Sequence, residues 1–362
     1  MGGLTSSWIA LAHVVEPGDA RVGKLVQRHG PETVLSMIAS RHRSIPEPLA
    51  HRYSHLIECD NEDQWTTQAS DVGARIITRE DLEWPTQVDD LGARTPFALW
   101  VVGAPNVRLS LLRSVAIVGA RASTPYGDEI ARRWSAELAD RGVTVVSGGA
   151  FGIDAAAHRG ALMGGLTACV GAGGVDVVYP RAHESLLARI ADDGLIISES
   201  PPGQSVRRQR FLTRNRIIAA LTRVTVVVEA AERSGTASTA REAHDLNRPV
   251  AAVPGPVTSP ASAGCHRLIR DHEAILAASV EDVFELLGES PGDANGSPVQ
   301  RAPVVSEREH QVLAVLSARR SMTLDDVVRS SGLDVIEVSV ALGLLDAAGR
   351  VASNGQGWQL VT

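Results

Sequence analysis

VAIVGARASTPYG, residues 115–127, is a β-branched apolar run that stops at a glycine and passes into a Ser/Thr/Pro helix start. A strand that reads as a near-continuous apolar run is buried on both faces, which is the condition of a parallel sheet covered by helices. The same rhythm recurs as VTVVS (143–147), LTACVG (166–171), LIIS (195–198), VTVVVE (224–229) and VAAVPG (250–255). Helical patterns separate these runs. One is plain, since Ile130, Trp134 and Leu138 recur at four-residue spacing between Asp128 and Gly142. The expected fold class is therefore α/β, a Rossmann-like, doubly wound, mostly parallel sheet over residues 72–288.

Outward from this sheet the pattern changes on both sides. Residues 1–71 show helical spacing of apolar positions, with breaks at Pro17-Gly18 and Gly30-Pro31, and predict a small helical domain resembling SAM or helix-hairpin-helix units. ESPGDANGSPVQRAP (289–303) has almost no apolar content and predicts a flexible linker. In 304–362, helices are expected over 307–317, 323–331 and 334–348, followed by a hairpin turning at Asn354-Gly355. That order predicts a winged helix. Its expected recognition helix, 334–348, carries Asp334, Glu337 and Asp346 and no base-reading Arg, Asn or Gln before Arg350, which favours protein contact or regulation over duplex reading.

The chain of 362 residues has a formal net charge of -7, and Lys24 is its single lysine. Cys59, Cys169 and Cys265 are far apart and form no CxxC pair, which argues against a disulfide framework and a thiolate metal site. No apolar run is long enough to span a membrane, and MGGLTSSWIALAHVV lacks the basic region and cleavage site of a signal peptide, so a cytoplasmic location is expected.

Against this acidic background, RRQRFLTRNR (207–216) places Arg207, Arg208, Arg210, Arg214 and Arg216 within ten residues and no acid among them. Such an island implies an anionic ligand. The run IIAAL follows directly, so Arg214 and Arg216 are expected in the first turn of a helix, facing the positive end of its dipole. In an open α/β sheet the ligand sits at the carboxyl ends of the strands. The loops there, GARASTPYG, SGGAFGID, GAGGVDVVYPRAHE and EAAERSGTAST, combine glycines for close approach with hydroxyls at helix starts. The expected phosphate-binding set is Gly119, Arg121, Ser147, Gly148, Gly149, Gly152, Arg181, Arg208, Arg210, Phe211, Arg214, Asn215, Arg216, Ser234, Gly235 and Thr236. Tyr126, Phe151, Tyr179 and Phe211 lie in the same loops, and aromatic rings interleaved with a basic track are how single-stranded nucleic acid is held.

Other anions fit less well. The first turn is GxRxSxxxG and not GxGxxG, and no ribose-binding acid ends the second strand, which excludes NAD. No Walker A loop occurs. Asp154, Asp176 and Glu199 each read as caps or arginine partners, and His158, His183, His244, His266 and His272 have no metal-ligand spacing. No catalytic residue, cofactor or metal is expected.

The ordered set AIVGAR, SGGAFGID, GVDVVYP, SES, RNRIIAAL, VVVEA, SGTASTA, AVPG and GCHRLI closely resembles the DNA processing protein A family (DprA, also called Smf) over residues 4–287. The resemblance implies a protein that binds single-stranded DNA without sequence preference, dimerises, protects incoming DNA and loads the recombinase RecA in natural transformation, with no catalytic turnover. Carried over by position, it assigns DNA contact to Arg121, Arg181, Arg208 and Phe211. Two departures stand out: FLTRNR has Leu212 where the family has proline, and GCHRLIRDHEA has His266 for asparagine and Asp271-His272 where small residues are usual. The alternative is a nucleotide-monophosphate phosphoribohydrolase of the LOG type, whose comparable loop carries a glycine pair that RSGTASTARE lacks.

Overall fold

The computed structural model describes residues 3–51, 62–232, 235–289, 307–316, 321–347, 350–353 and 357–360. The chain divides into two compact units, 1–295 and 296–362.

The first unit is built on a nine-stranded sheet in the order β1-β2-β6-β5-β4-β3-β7-β8-β9. The strands are β1 Arg75–Ile77, β2 Leu99–Val102, β3 Ser114–Gly119, β4 Thr144–Ser147, β5 Thr167–Val170, β6 Leu195–Ser198, β7 Val224–Val228, β8 Val250–Ala252 and β9 Ile275–Leu276. From β6 to β9 every pairing is parallel; β2 runs antiparallel to β6, and β1 antiparallel to β2. All six strands expected from apolar runs are present. The three others are short and flank the sheet, and the sequence reading did not identify them.

Alternation along each strand feeds two cores. Val115 and Ile117 of β3 pack with Trp134 and Leu138 on one face, while Ala116 and Val118 pack with Ile217, Ile218 and Leu221 on the other. The helix Pro125–Asp140 covers the first face and Arg208–Leu221 the second. Full burial of each large aliphatic side chain contributes roughly 1.5–3 kcal/mol, so the covered sheet is the rigid part of the molecule. After β6 the chain returns to lay β7 beside β3, and this reversal opens a crevice at the carboxyl ends of those two strands.

Helices Gly3–Val14, Ala20–His29 and Pro31–Ala39 share a core of Trp8, Leu11, Val22, Val34 and Ile38. Gly30, at φ 80°, ends one helix and begins the next, so the break expected at Gly30-Pro31 is a single-residue corner. This bundle belongs to the same compact unit as the sheet, with Trp8 stacked on Phe97 at 6.2 Å.

The second unit contains helices Glu307–Val315, Leu324–Ser331 and Val335–Ala347 and an antiparallel pair, β10 Val351–Ser353 with β11 Trp358–Leu360. Gly332 ends the middle helix in the left-handed conformation at φ 73°, at the turn expected from Ser331-Gly332. Most of the expected linker, 290–303, and the hairpin turn at Asn354-Gly355 lie outside the described residues. The helix Val335–Ala347 turns Val338, Leu342 and Leu345 inward and leaves Val335, Ile336 and Val340 exposed.

Candidate nucleic-acid interface

The helix that carries the arginine cluster spans Arg208–Leu221, so it begins six residues before the expected start. Arg208, Gln209 and Arg210 are all good helix formers, and Leu212 supplies the backbone N–H that a proline would remove. Arg214 and Arg216 are consequently interior residues and not first-turn residues. With 3.6 residues per turn the cluster is divided between faces. Arg208, Phe211, Leu212 and Asn215 line a cleft of about 780 Å³ at the crevice beside β3 and β7, together with Arg121 and Tyr179. Arg210, Thr213 and Arg216 turn the other way, toward residues 16–18 of the N-terminal bundle.

The guanidinium groups on that second face are internally bonded. Arg210 is 7% exposed and pairs with Glu16 at 3.1 Å, and it also donates to Gln204 Oε1. Arg216 is 1% exposed and donates from Nη2 to both Glu199 oxygens at 2.6 Å. Gly18, at φ +75°, packs against it: a Cβ there would stand 2.8 Å from Thr213 Cγ2 and 3.0 Å from Arg216 Nε. The expected phosphate-contacting roles of Arg210 and Arg216 are therefore corrected: both hold the fold.

Arg214 is largely buried in the cleft lining. Its Nη1 donates to the carbonyls of Gly148, at 2.7 Å, and Val170, tying the helix to the loops after β4 and β5. Gly148 is required by this approach, because a Cβ would fall 2.4 Å from Nη1. Burial lowers the Arg214 pKa and raises that of Asp154, each effect opposed by the charge of the other. Guanidinium stays protonated, so Arg214 is a fixed positive charge in the cleft lining.

Several expected hydroxyl and glycine contacts are also structural. Ser147 is fully buried and donates to the Ile117 carbonyl at 2.6 Å, which corrects its assignment as a phosphate ligand. Gly149 and Gly152, at φ 72° and 73°, turn the chain into the helix Ile153–Ala161, and the Ala150 N–H of that turn donates to Asp154. Gly119 closes β3 against Val228. In the loop after β3 the Thr124 N–H donates to Glu229 Oε2 at 2.8 Å. Glu229 itself sits at φ 57°, a conformation that costs an acidic residue about 1 kcal/mol, and its carbonyl accepts from Ala120 N. The carboxylates Asp176 and Glu199 are likewise bonded, to Gly203 N and Arg216.

What remains facing the cleft is a small set. The Arg121 and Arg208 side chains are exposed, and neither has an ion pair or hydrogen bond among the described residues; the Arg181 side chain, at the start of the short turn Arg181–His183, is equally exposed and unpaired but does not line the cleft. The Arg121 guanidinium stands 5.2 Å over the Phe211 ring, and Tyr179 stands 5.2 Å from that ring on centroids. Tyr179 precedes Pro180 through a cis peptide bond. Gly235 and Thr236 line the cleft from the loop after β7, and Ser234 lies outside the described residues. No side chain caps the first turn of Arg208–Leu221, so the N–H groups left free there add to the positive potential of Arg208, while Arg207 pairs with Glu16 at 3.7 Å. Tyr126 is away from this stack, its hydroxyl bonded to the Pro254 carbonyl. The sequence reading had noted Tyr179 among the loop aromatics without placing it in the site; the YP pair in a strand-end loop was the available signal.

The histidines are structural where they are bonded. His158 is fully buried against Thr167 Oγ1 at 2.7 Å, and burial, with His183 and Arg214 nearby, lowers its pKa to about 3. His266 meets the Gly255 carbonyl at 3.0 Å, filling the asparagine position noted in the sequence, and His272 is at φ 59°. No cluster of three metal-ligating side chains occurs among the described residues.

Comparison with known proteins decides what this arrangement belongs to. The family model for DNA recombination-mediator protein A matches residues 75–288, and the DprA winged helix domain matches 296–357. The chain belongs to the DprA family. It is 41% identical over 369 residues to the putative DNA processing protein DprA of Mycobacterium tuberculosis, covering 98% of this chain and 94% of that one. The X-ray structure of DprA from Streptococcus pneumoniae superposes with a TM-score of 0.65 at 30% identity, over 77% of this chain and 95% of that one. A Helicobacter pylori DprA, described for its unique single-stranded DNA binding mode, superposes with a TM-score of 0.53 at 30% identity, over 60% of this chain and 97% of that one. The DprA match over 75–288 contains the whole cleft, and the second match coincides with the separate C-terminal unit. No helix among the described residues is long and apolar enough to cross a membrane.

Proposed function

We propose that this protein binds single-stranded DNA along the strand-end cleft, acting as a homodimer in the cytoplasm to protect the strand and load RecA onto it, without chemical turnover. The observation that carries the reading is the stack of Arg121 over Phe211 with Tyr179 beside it, next to an uncapped helix N-terminus. Rings offer bases a sequence-tolerant surface, while Arg208, Arg121, Arg181 and the free N–H groups engage phosphates. The largely buried Arg214 adds its charge to the potential from within the cleft lining. Among the described residues the carboxylates near the cleft are engaged, Glu229 with Thr124 N, Asp154 with Ala150 N and Glu199 with Arg216, which supports binding over hydrolysis. The DNA-binding description of the Helicobacter pylori relative supports the same ligand. The winged helix, with aliphatic side chains where a duplex reader places polar ones, is assigned to protein contact.

Fluorescence anisotropy with labelled oligothymidine, duplex competitor and mononucleotide competitor at several salt concentrations tests this reading. Single strand should win over both competitors, and Arg121→Ala with Arg208→Ala should weaken binding at least tenfold. Equal preference for duplex, or unchanged affinity in the double variant, rejects it.

A further inference from the structure

A second basic surface lies on the N-terminal bundle. The helix Ala20–His29 buries Val22, Gly23 and Val26 and exposes Arg21, Lys24 and Arg28, which follow one another at three and four residues. Side chains so spaced share one side of a helix, with Cβ atoms about 5–6 Å apart. No acid occurs within this helix. Several exposed helical arginines elsewhere are neutralised locally, Arg132 by Glu129, Arg133 by Glu137 and Arg329 by Asp326. Here Arg21 pairs with the N-cap Asp19, whereas Lys24 and Arg28 have no ion pair or hydrogen bond among the described residues. Like charges at this spacing repel and weaken a helix unless an anion bridges them.

The position of the helix supplies the anion. It begins two residues after Gly18, which packs on Thr213 and Arg216 of the arginine helix, and four after Glu16, which pairs with Arg210. The basic row therefore starts one short loop from the helix that lines the cleft, on the side of that helix facing away from the cleft. We propose that Arg21, Lys24 and Arg28 form a second phosphate-contacting surface, along which the sugar-phosphate backbone of the strand held in the cleft continues. This rests on the reading of the cleft as a single-strand site.

The test uses the full chain, with Lys24→Gln and Arg28→Gln combined, and oligothymidines of about 6 and about 30 nucleotides, the first within the span of a single site. For the long strand the slope of log affinity against log salt should become shallower by about 1.4, from about 0.7 per lost phosphate contact. The short strand should keep its affinity and slope. An unchanged long-strand slope overturns the proposal, as does an equal loss in the control Arg132→Gln with Arg133→Gln. A wild-type chain that binds neither oligothymidine overturns the cleft reading and this one together; normal binding with an unchanged slope overturns this one alone.

Discussion

The Glu16 carboxylate lies 3.1 Å from Nη2 of Arg210, joining residues 194 positions apart in the chain. Because Arg210 is almost fully buried, this pair belongs to the fold, while Arg208, two residues earlier, faces the cleft. The two substitutions should therefore separate stability from binding. Arg210→Ala should lower stability by about 1–3 kcal/mol in urea titration, with the salt slope of DNA binding unchanged. Arg208→Ala should leave stability within about 0.5 kcal/mol and make the slope shallower by about 0.7. Identical behaviour of the two variants would contradict the division of the helix into faces.

Phe211 is expected to act through its ring. Phe211→Ala should weaken single-strand binding by about 1–3 kcal/mol, roughly 5- to 150-fold, whereas Phe211→Tyr should retain most of the affinity. Titrations of both variants at one salt concentration check this, and the loss should be nearly independent of salt, since no charge is removed.

Gly148→Ala should damage the cleft from below. The added methyl would meet the Arg214 guanidinium and displace it from the Gly148 and Val170 carbonyls. A destabilisation of about 1–3 kcal/mol is expected, together with weaker DNA binding although residue 148 does not line the cleft. Thermal melting and anisotropy on the same preparation measure both effects.

The stability of this chain should fall with acid in a manner traceable to His158. The Thr167 hydroxyl donates to the Val145 carbonyl, so it accepts from His158 Nδ1–H, and the ring is neutral. Its folded pKa of about 3 lies below the ordinary value of 6.5, so between these limits the unfolded chain binds a proton that the folded chain refuses. The contribution is complete above pH 6.5 and is lost as pH falls, by up to about 1.4 kcal/mol per pH unit. Urea titrations from pH 7.5 to 4.5 should show a steeper decline for wild type than for His158→Gln; parallel declines would place the acid sensitivity elsewhere.

The central strands were legible because each buried strand announces itself as an apolar run ending in a turn signal. β1 and β9 are three and two residues long, so no such run marks them, whereas β2 has one, ALWVVG (98–103), that the sequence reading passed over. The region of the site was legible for the same reason: β3 and β7 end in the loops that line it. The roles of individual arginines were not. They depend on where the helix begins, a matter of a few residues of register, and on partners such as Glu16 and Glu199 that only the fold brings near. Ser147 shows the same limit, since nothing local reveals that its hydroxyl points inward to Ile117.

The contact of Gly18 and Glu16 with the arginine helix bears on how a minimal fragment would behave. A polypeptide trimmed to begin near residue 72 would lose Glu16 and the cover of Gly18, leaving Arg210 without its carboxylate while Arg216 stays paired with Glu199. Such a fragment would attract polyanions of every kind, and its apparent affinity would overstate that of the whole protein while its selectivity declined.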